Sequence, residues 1–176
     1  MKLKKTWEDC AAFHGHVCPG LTIGYKAALY AADIMELNFS DDEQVVCIAE
    51  NDACGIDAIQ VMLGCSIGKG NLLFRLRGKQ AFSFYNRTTG KSVRLVLKPK
   101  PYEMDKAESF SYYQQLPCAE MFDVKPVPQP VPERARIFGS IACEICGEMT
   151  AEQMITLQGG KKLCPDCYPK YDRFGL

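Results

Sequence analysis

The chain has 176 residues, with 21 Lys and Arg against 21 Asp and Glu and 47% hydrophobic residues, the composition of one folded domain with room for a small module. This excludes wholesale disorder and fibrous repeats, and it provides no net charge with which to hold nucleic acid or an acidic membrane surface. No apolar run reaches the roughly 18–20 residues of a membrane span, so no membrane partner is expected.

Met1-Lys2-Leu3-Lys4-Lys5 is basic like the start of an export signal, but Trp7-Glu8-Asp9-Cys10 stands where the apolar stretch should follow, and a cytoplasmic location is the expectation. Thr6 is placed to cap a first helix carrying Trp7, Cys10, Ala11 and His14 at helical spacing. Pro19 opens a second helix, whose broad apolar stripe runs from Leu21 to Leu37. After the polar break at Asp41-Asp42-Glu43, residues 45–49 read as a short buried strand, and Cys54-Gly55 turns into a short helix over 56–63. The glycine-rich loop 64–70 fails the phosphate-loop template. Only three residues separate Gly64 from Gly68, and Gly70 stands where a Ser or Thr would hold magnesium. Lys69 is therefore read as a solvated loop lysine. Strands are expected over 71–76, 80–85 and 92–97, the last two joined by a turn at Thr88-Thr89-Gly90. Residues 103–123 read as helical with a break at Leu116-Pro117.

From Pro126 to Pro132 every second residue is proline, which favours a stiff, extended spacer. The expected division is a core over 1–125, a linker over 126–138 and a C-terminal module over 139–176.

Ten cysteines are the outlying number. In a reducing compartment they point to metal binding or thiol chemistry rather than disulfides. Cys143-x-x-Cys146 and Cys164-x-x-Cys167 are separated by seventeen residues, a structural zinc pattern in which each short pair turns both sulfurs toward one ion. Gly147 and Gly159-Gly160 supply turns, and Pro165 stands where a helix could begin. A treble-clef or ribbon-like module follows, with four thiolates and no open coordination position. Residues 126–176 carry six cations and six acids, so the module lacks the basic patch of a nucleic-acid binder.

Both histidines of the chain lie in Phe13-His14-Gly15-His16-Val17-Cys18-Pro19-Gly20. An extended segment would bring His14, His16 and Cys18 to one face, a donor set suited to zinc, nickel or iron. With Pro19 at the first helical position, Cys18 becomes the N-cap, where free N–H groups and the helix dipole favour its thiolate. Cys54 and Cys65 fall at turns, where functional groups are displayed. Cys10, Cys47 and Cys118 fall within apolar periodicity and read as small core residues.

Charge is segregated. Residues 69–100 hold nine cations and no acid, and residues 27–68 hold eight acids and no cation. These are the faces of neighbouring elements that complement each other, or a self-complementary dimer surface. A basic sheet interleaved with Phe82, Phe84 and Tyr85 is the competing reading, as a surface for RNA or a phosphorylated ligand.

The Phe13–Gly20 block, Glu50-Asn51-Asp52-Ala53-Cys54-Gly55-Ile56-Asp57-Ala58-Ile59-Gln60 and Gly64-Cys65-Ser66-Ile67-Gly68-Lys69-Gly70-Asn71 together resemble the signature blocks of the FmdE family of formylmethanofuran dehydrogenase proteins. The proline segment and four-cysteine tail resemble its longer, zinc-finger-bearing members. The resemblance implies an α+β core, a mixed or antiparallel sheet with flanking helices, and a homodimer. It also implies His16, Cys18, Cys54 and Cys65 as core-site residues, with His14 ranked below them because it fits the apolar stripe of the first helix. Nothing in the chain matches a pterin site or a ferredoxin-like cysteine run, so carbon dioxide reduction by this polypeptide is not implied. The expectation is a His/Cys site that holds a second transition metal or performs thiol chemistry, Cys18 as nucleophile or ligand and His16 as base or ligand, beside a structural zinc finger. The alternative is a non-catalytic accessory subunit or interaction module of a molybdenum or tungsten oxidoreductase system.

Overall fold

The structure is a computed structural model that describes residues 3–171 and 173. The basic Met1-Lys2 and the last residues of the tail, Asp172 among them, lie outside the described residues. Two compact units divide at Ala135 and Arg136.

In the first unit, helix α1 (Trp7–His14) starts at a capping box. Asp9 N–H donates to Thr6 Oγ1 and Thr6 N–H to Asp9 Oδ2, which satisfies two backbone donors that a helix start leaves open. Helix α2 (Pro19–Met35) follows, then β1 (Val45–Ala49), α3 (Gly55–Leu63) and β2 (Leu72–Phe74). Strands β3 (Ala81–Asn86) and β4 (Ser92–Leu97) form a hairpin, and α4 (Lys106–Gln115), α5 (Cys118–Met121) and β5 (Phe122–Lys125) complete the unit. The sheet order is β2-β1-β3-β4-β5, with β1 and β2 parallel and the other pairs antiparallel. This is the mixed sheet of an α+β fold. The parallel pair requires a crossover, and α3 provides it.

The helical reading of 103–123 runs two residues too far, since the last helix stops at Met121. Phe122 to Lys125 pair with β4, a long-range pairing that local helical periodicity does not show.

Alternation assigns the faces. Cys47, Ala49, Phe82, Phe84 and Leu95 enter the main core with the helices, while Val46, Ile48 and Tyr85 form a second cluster on the opposite face. That outer face explains the proline segment. Val127 packs against the second cluster, Tyr85 Oη donates to the Gln129 carbonyl at 3.1 Å, and Ala135 N–H donates to the Glu43 carboxylate at 3.1 Å. The expected spacer is therefore a strap over residues 126–135 that belongs to the first unit. An extended proline segment makes no hydrogen bonds of its own, so its carbonyls are free to accept from sheet side chains.

The segregated charges meet within the chain. Arg94 clasps Glu50 through Nε at 2.6 Å and Nη2 at 2.9 Å, Arg87 reaches Glu43 at 3.5 Å and Lys91 reaches Glu36 at 3.6 Å. Phe82, Phe84 and Tyr85 are buried, so the surface with stacking aromatics does not exist. Lys69 is not a solvated lysine either. Its Nζ donates to the Ser40 carbonyl at 2.6 Å and lies over the Phe39 ring, which ties the loop down.

The Arg94 hydrogen bonds hold the Glu50 carboxyl below the usual carboxylate range. A carboxyl lowered on folding stabilises the native state above its unfolded pKa of about 4.3 and loses that contribution as pH falls through the folded value. Glu50→Gln should therefore cost about 2 kcal/mol near neutral pH, with the difference from the parent shrinking in the acid range. Denaturant titrations across pH check this; a difference that grows on acidification would contradict it.

The second unit consists of two hairpins, β6 (Ser140–Ala142) with β7 (Met149–Ala151) and β8 (Thr156–Gln158) with β9 (Lys161–Leu163). This is the ribbon-like arrangement. After Pro165 the described chain forms turns rather than the helix that proline could have begun. Among the described residues of both units, no helix is long and apolar enough to cross a membrane.

Candidate metal centre

In the first unit, the ligand atoms of His14, His16, Cys18 and Cys54 all lie within 4.8 Å of one another. Three local structures deliver them. His14 is the last residue of α1, and Gly15 ends that helix in the left-handed conformation at φ 85°, which glycine adopts without a Cβ penalty. The chain turns there, so the convergence of His14, His16 and Cys18 comes from a helix end and a loop rather than from an extended strand. Cys18 is the N-cap of α2, and its Sγ accepts from Leu21 N–H at 3.3 Å. Cys54 stands at the N-cap of α3 without a side-chain cap bond, which leaves its sulfur available to the cluster.

The two helix starts approach because both are built on glycine. A Cβ on Gly24 of α2 would collide with the Gly55 carbonyl of α3. One on Gly20 would lie 3.2 Å from Cys54 Cβ.

His14 has a larger part than its place in an apolar stripe implied. Its Nδ1 is 2.7 Å from Asp57 Oδ2, and its Nε2 is 4.0 Å from Cys18 Sγ. A carboxylate on one ring nitrogen fixes the tautomer and orients the other nitrogen toward a metal. The His14 and His16 rings lie 4.3 Å apart. Asp57 was missed by sequence reasoning. The available signal was its spacing, because residue i+3 from Cys54 on α3 shares that cysteine's helix face.

Cys65 does not join. It is buried, its thiol donates to the Val45 carbonyl at 3.6 Å, and burial pushes the thiol up to about 12. It packs in the core as Cys10 and Cys47 do. Its turn context was misleading because the turn itself is buried.

His16 is exposed, His14 and Cys54 are half-buried and Cys18 is buried. A cleft of about 310 Å³ lined by His14, Asp52, Cys54, Asp57 and Phe74 opens beside them. Burial raises the Cys54 thiol, and the neighbouring Cys18 sulfur adds to the effect.

In the second unit, Cys143, Cys146, Cys164 and Cys167 converge within 4.8 Å. Four thiolates at zinc–sulfur distances of about 2.3 Å stand about 3.8 Å apart on a tetrahedron, and Cys146 and Cys164 Sγ are 3.9 Å apart. Gly147 makes the first knuckle at φ 78°, and Lys162 N–H donates to Glu144 Oε2 at 2.7 Å, joining the knuckle to the second hairpin. Backbone N–H groups of Cys164, Cys146 and Ile145 bring the Cys143 thiol down to about 6, whereas burial and the neighbouring sulfurs raise Cys167 to about 12. Sulfurs this crowded ionise together only around a cation, and the donor set fits zinc.

A profile described as "FmdE, Molybdenum formylmethanofuran dehydrogenase operon" matches residues 13–121, which carry the whole His/Cys cluster of the core. The chain belongs to the FmdE family. A second profile, described as a prokaryotic dksA/traR C4-type zinc finger, matches residues 136–173. The FmdE chain is thus a metal-binding protein with a zinc finger. A solved structure of a tungsten formylmethanofuran dehydrogenase FmdE-like protein from Syntrophus aciditrophicus is 25% identical, with a TM-score of 0.68 over 94% of this chain and 93% of that one. A probable S-adenosyl-L-methionine-binding protein of Archaeoglobus fulgidus is 26% identical over 183 residues, 84% of this chain. The FmdE chain spans about half the length of that curated relative, 49%.

Proposed function

We propose that the core of this FmdE chain holds a transition metal ion through His14, Cys18 and Cys54, with His16 as the fourth and exchangeable ligand, and that the adjoining cleft admits a substrate to it. The observation that carries this reading is the convergence of the four ligand atoms together with the Asp57 clasp on His14. Two imidazoles and two thiolates suit zinc first, then iron or nickel. A structural zinc site is closed, whereas this one has an exposed histidine and borders a cleft, which supports a ligand-exchanging role. When bound, such a metal supplies Lewis-acid polarisation of a ligand oxygen. Here Asp57 orients His14, the α2 N-terminus receives Cys18, and His16 sits where it can leave the metal or take a proton. The protein acts in the cytoplasm as a homodimer in this reading.

The test is metal content by mass spectrometry on the full chain. About two equivalents are expected, about one for each site. Cys18→Ser should remove the core equivalent alone, and Asp57→Ala should weaken core-metal affinity by about 10- to 100-fold. Unchanged metal content in Cys18→Ser would overturn the proposal. The family's operon description favours a second reading, an accessory subunit with oxidoreductase subunits as partners. In that case substitutions in the zinc finger abolish partner capture, while Cys18→Ser costs metal and nothing else.

A further inference from the structure

The outer face of the sheet carries a second concavity, on the side away from the His/Cys cluster. It is a cleft of about 400 Å³ lined by Arg75, Arg77, Lys79, Arg94 and Lys125 around one carboxylate, Glu50, with Pro126 and Pro128 of the strap as its wall. We infer that this cleft binds a small molecule bearing two or more neighbouring oxyanion charges, whether phosphates or carboxylates.

The charge arrangement opposes folding unless something compensates it. Arg94 and Lys125 face each other directly in the β4–β5 register, a pairing of like charges that destabilises a sheet. Glu50 is buried, and its two oxygens are both taken by Arg94. It therefore holds the Arg94 guanidinium in place, and its single charge is shared at longer range with Lys79 and Arg75, so that five cations stand around one acid. Lys125 has only a 3.9 Å exposed contact with Asp123. Among the described residues, Arg75, Arg77 and Lys79 have no acidic partner within ion-pair distance.

The site is also shaped. Arg75 Nη1 donates to Gln129 Oε1 at 2.8 Å and Arg77 Nη1 to the Leu76 carbonyl at 2.8 Å. Neutral acceptors orient a guanidinium without cancelling its charge, and its remaining N–H groups match the spacing of phosphate or carboxylate oxygens. Backbone bonds fix the segment, with Arg75 N–H donating to the Ala49 carbonyl and Arg77 N–H to the Glu50 carbonyl. The volume is that of a small-ligand pocket. Single-stranded nucleic acid would need aromatic platforms, and the nearby Phe82, Phe84 and Tyr85 are buried.

Calorimetric titration of the full chain tests this with fructose 1,6-bisphosphate, tricarballylate and a mixed single-stranded RNA as probes. Saturable binding of one small probe is expected, weakening as potassium chloride is raised. The phosphate and carboxylate arms show which oxyanion is preferred. Arg75→Gln with Lys79→Gln, both on the surface, should weaken that probe by about tenfold or more, while Lys161→Gln with Lys162→Gln in the second unit leaves it unchanged. Circular dichroism and metal content confirm that each variant is folded. No saturation by either small probe, equal binding by the Arg75/Lys79 variant, or binding of RNA alone would each overturn the inference.

Discussion

Stripping zinc from the C-terminal unit, or replacing Cys146 with Ser, is expected to unfold residues 136–171 while the first unit keeps its fold. The apolar core of that unit is Cys143, Leu163 and Cys164, with Cys167 and Tyr168 packed against it. Three of those five residues are themselves ligands, so removing the ion removes what the core is built around. Ile137, Ile145, Met149 and Leu157 are exposed and add little burial. Zinc binding in such modules amounts to about 10–16 kcal/mol of apparent free energy, far more than two three-residue hairpins can supply. Amide spectra of the full chain should lose the dispersed signals of β6 to β9 on chelation and retain those of β1 to β5. Persistence of the hairpin signals in zinc-free protein would contradict this account.

Gly24→Ala should destabilise the first unit by about 3 kcal/mol, at the upper end for an overpacked site, and should also weaken metal retention in the core. The new methyl collides with the Gly55 carbonyl, which is backbone and cannot swing aside as a side chain would. The helices must separate, and the separation falls where Cys18 on α2 faces Cys54 on α3. Thermal unfolding should drop by on the order of 10 °C. Gly68→Ala provides a comparison, because nothing lies within 4 Å of a Cβ at that position. Equal stability and metal content in the two variants would show that the glycine contact does not set the site.

Each feature that was legible in the sequence had a local cause. Thr6, Pro19 and Gly90 mark their elements through capping, a preset φ and a left-handed turn, and each acts within a few residues. The two Cys-x-x-Cys pairs were legible because each knuckle is local and only one hairpin-sized segment separates them. Cys18 as the cap of α2 follows from Pro19 for the same reason.

The errors fall where contacts are long-range. Residues 122 and 123 read as the end of a helix, and the strand they begin went unseen, because their partner strand lies 25 or more residues away. The proline segment read as a spacer because the apolar outer face that it covers is contributed by β1 and β3. Cys65 looked displayed and His14 looked structural for one common reason. A turn can be buried and a helix face can be polar-lined, depending on what packs against them.

By itself, then, the sequence determined the elements of the core up to its last strand, the zinc finger and the short stretch that carries three of the four residues of the His/Cys cluster. All of these rest on interactions between near neighbours. The tertiary structure alone decided that Cys54 rather than Cys65 completes the cluster, that Asp57 orients His14, and that five cations gather on the outer face. Those choices depend on which helix lies against which, and here the Gly24–Gly55 contact and the strand register set that packing.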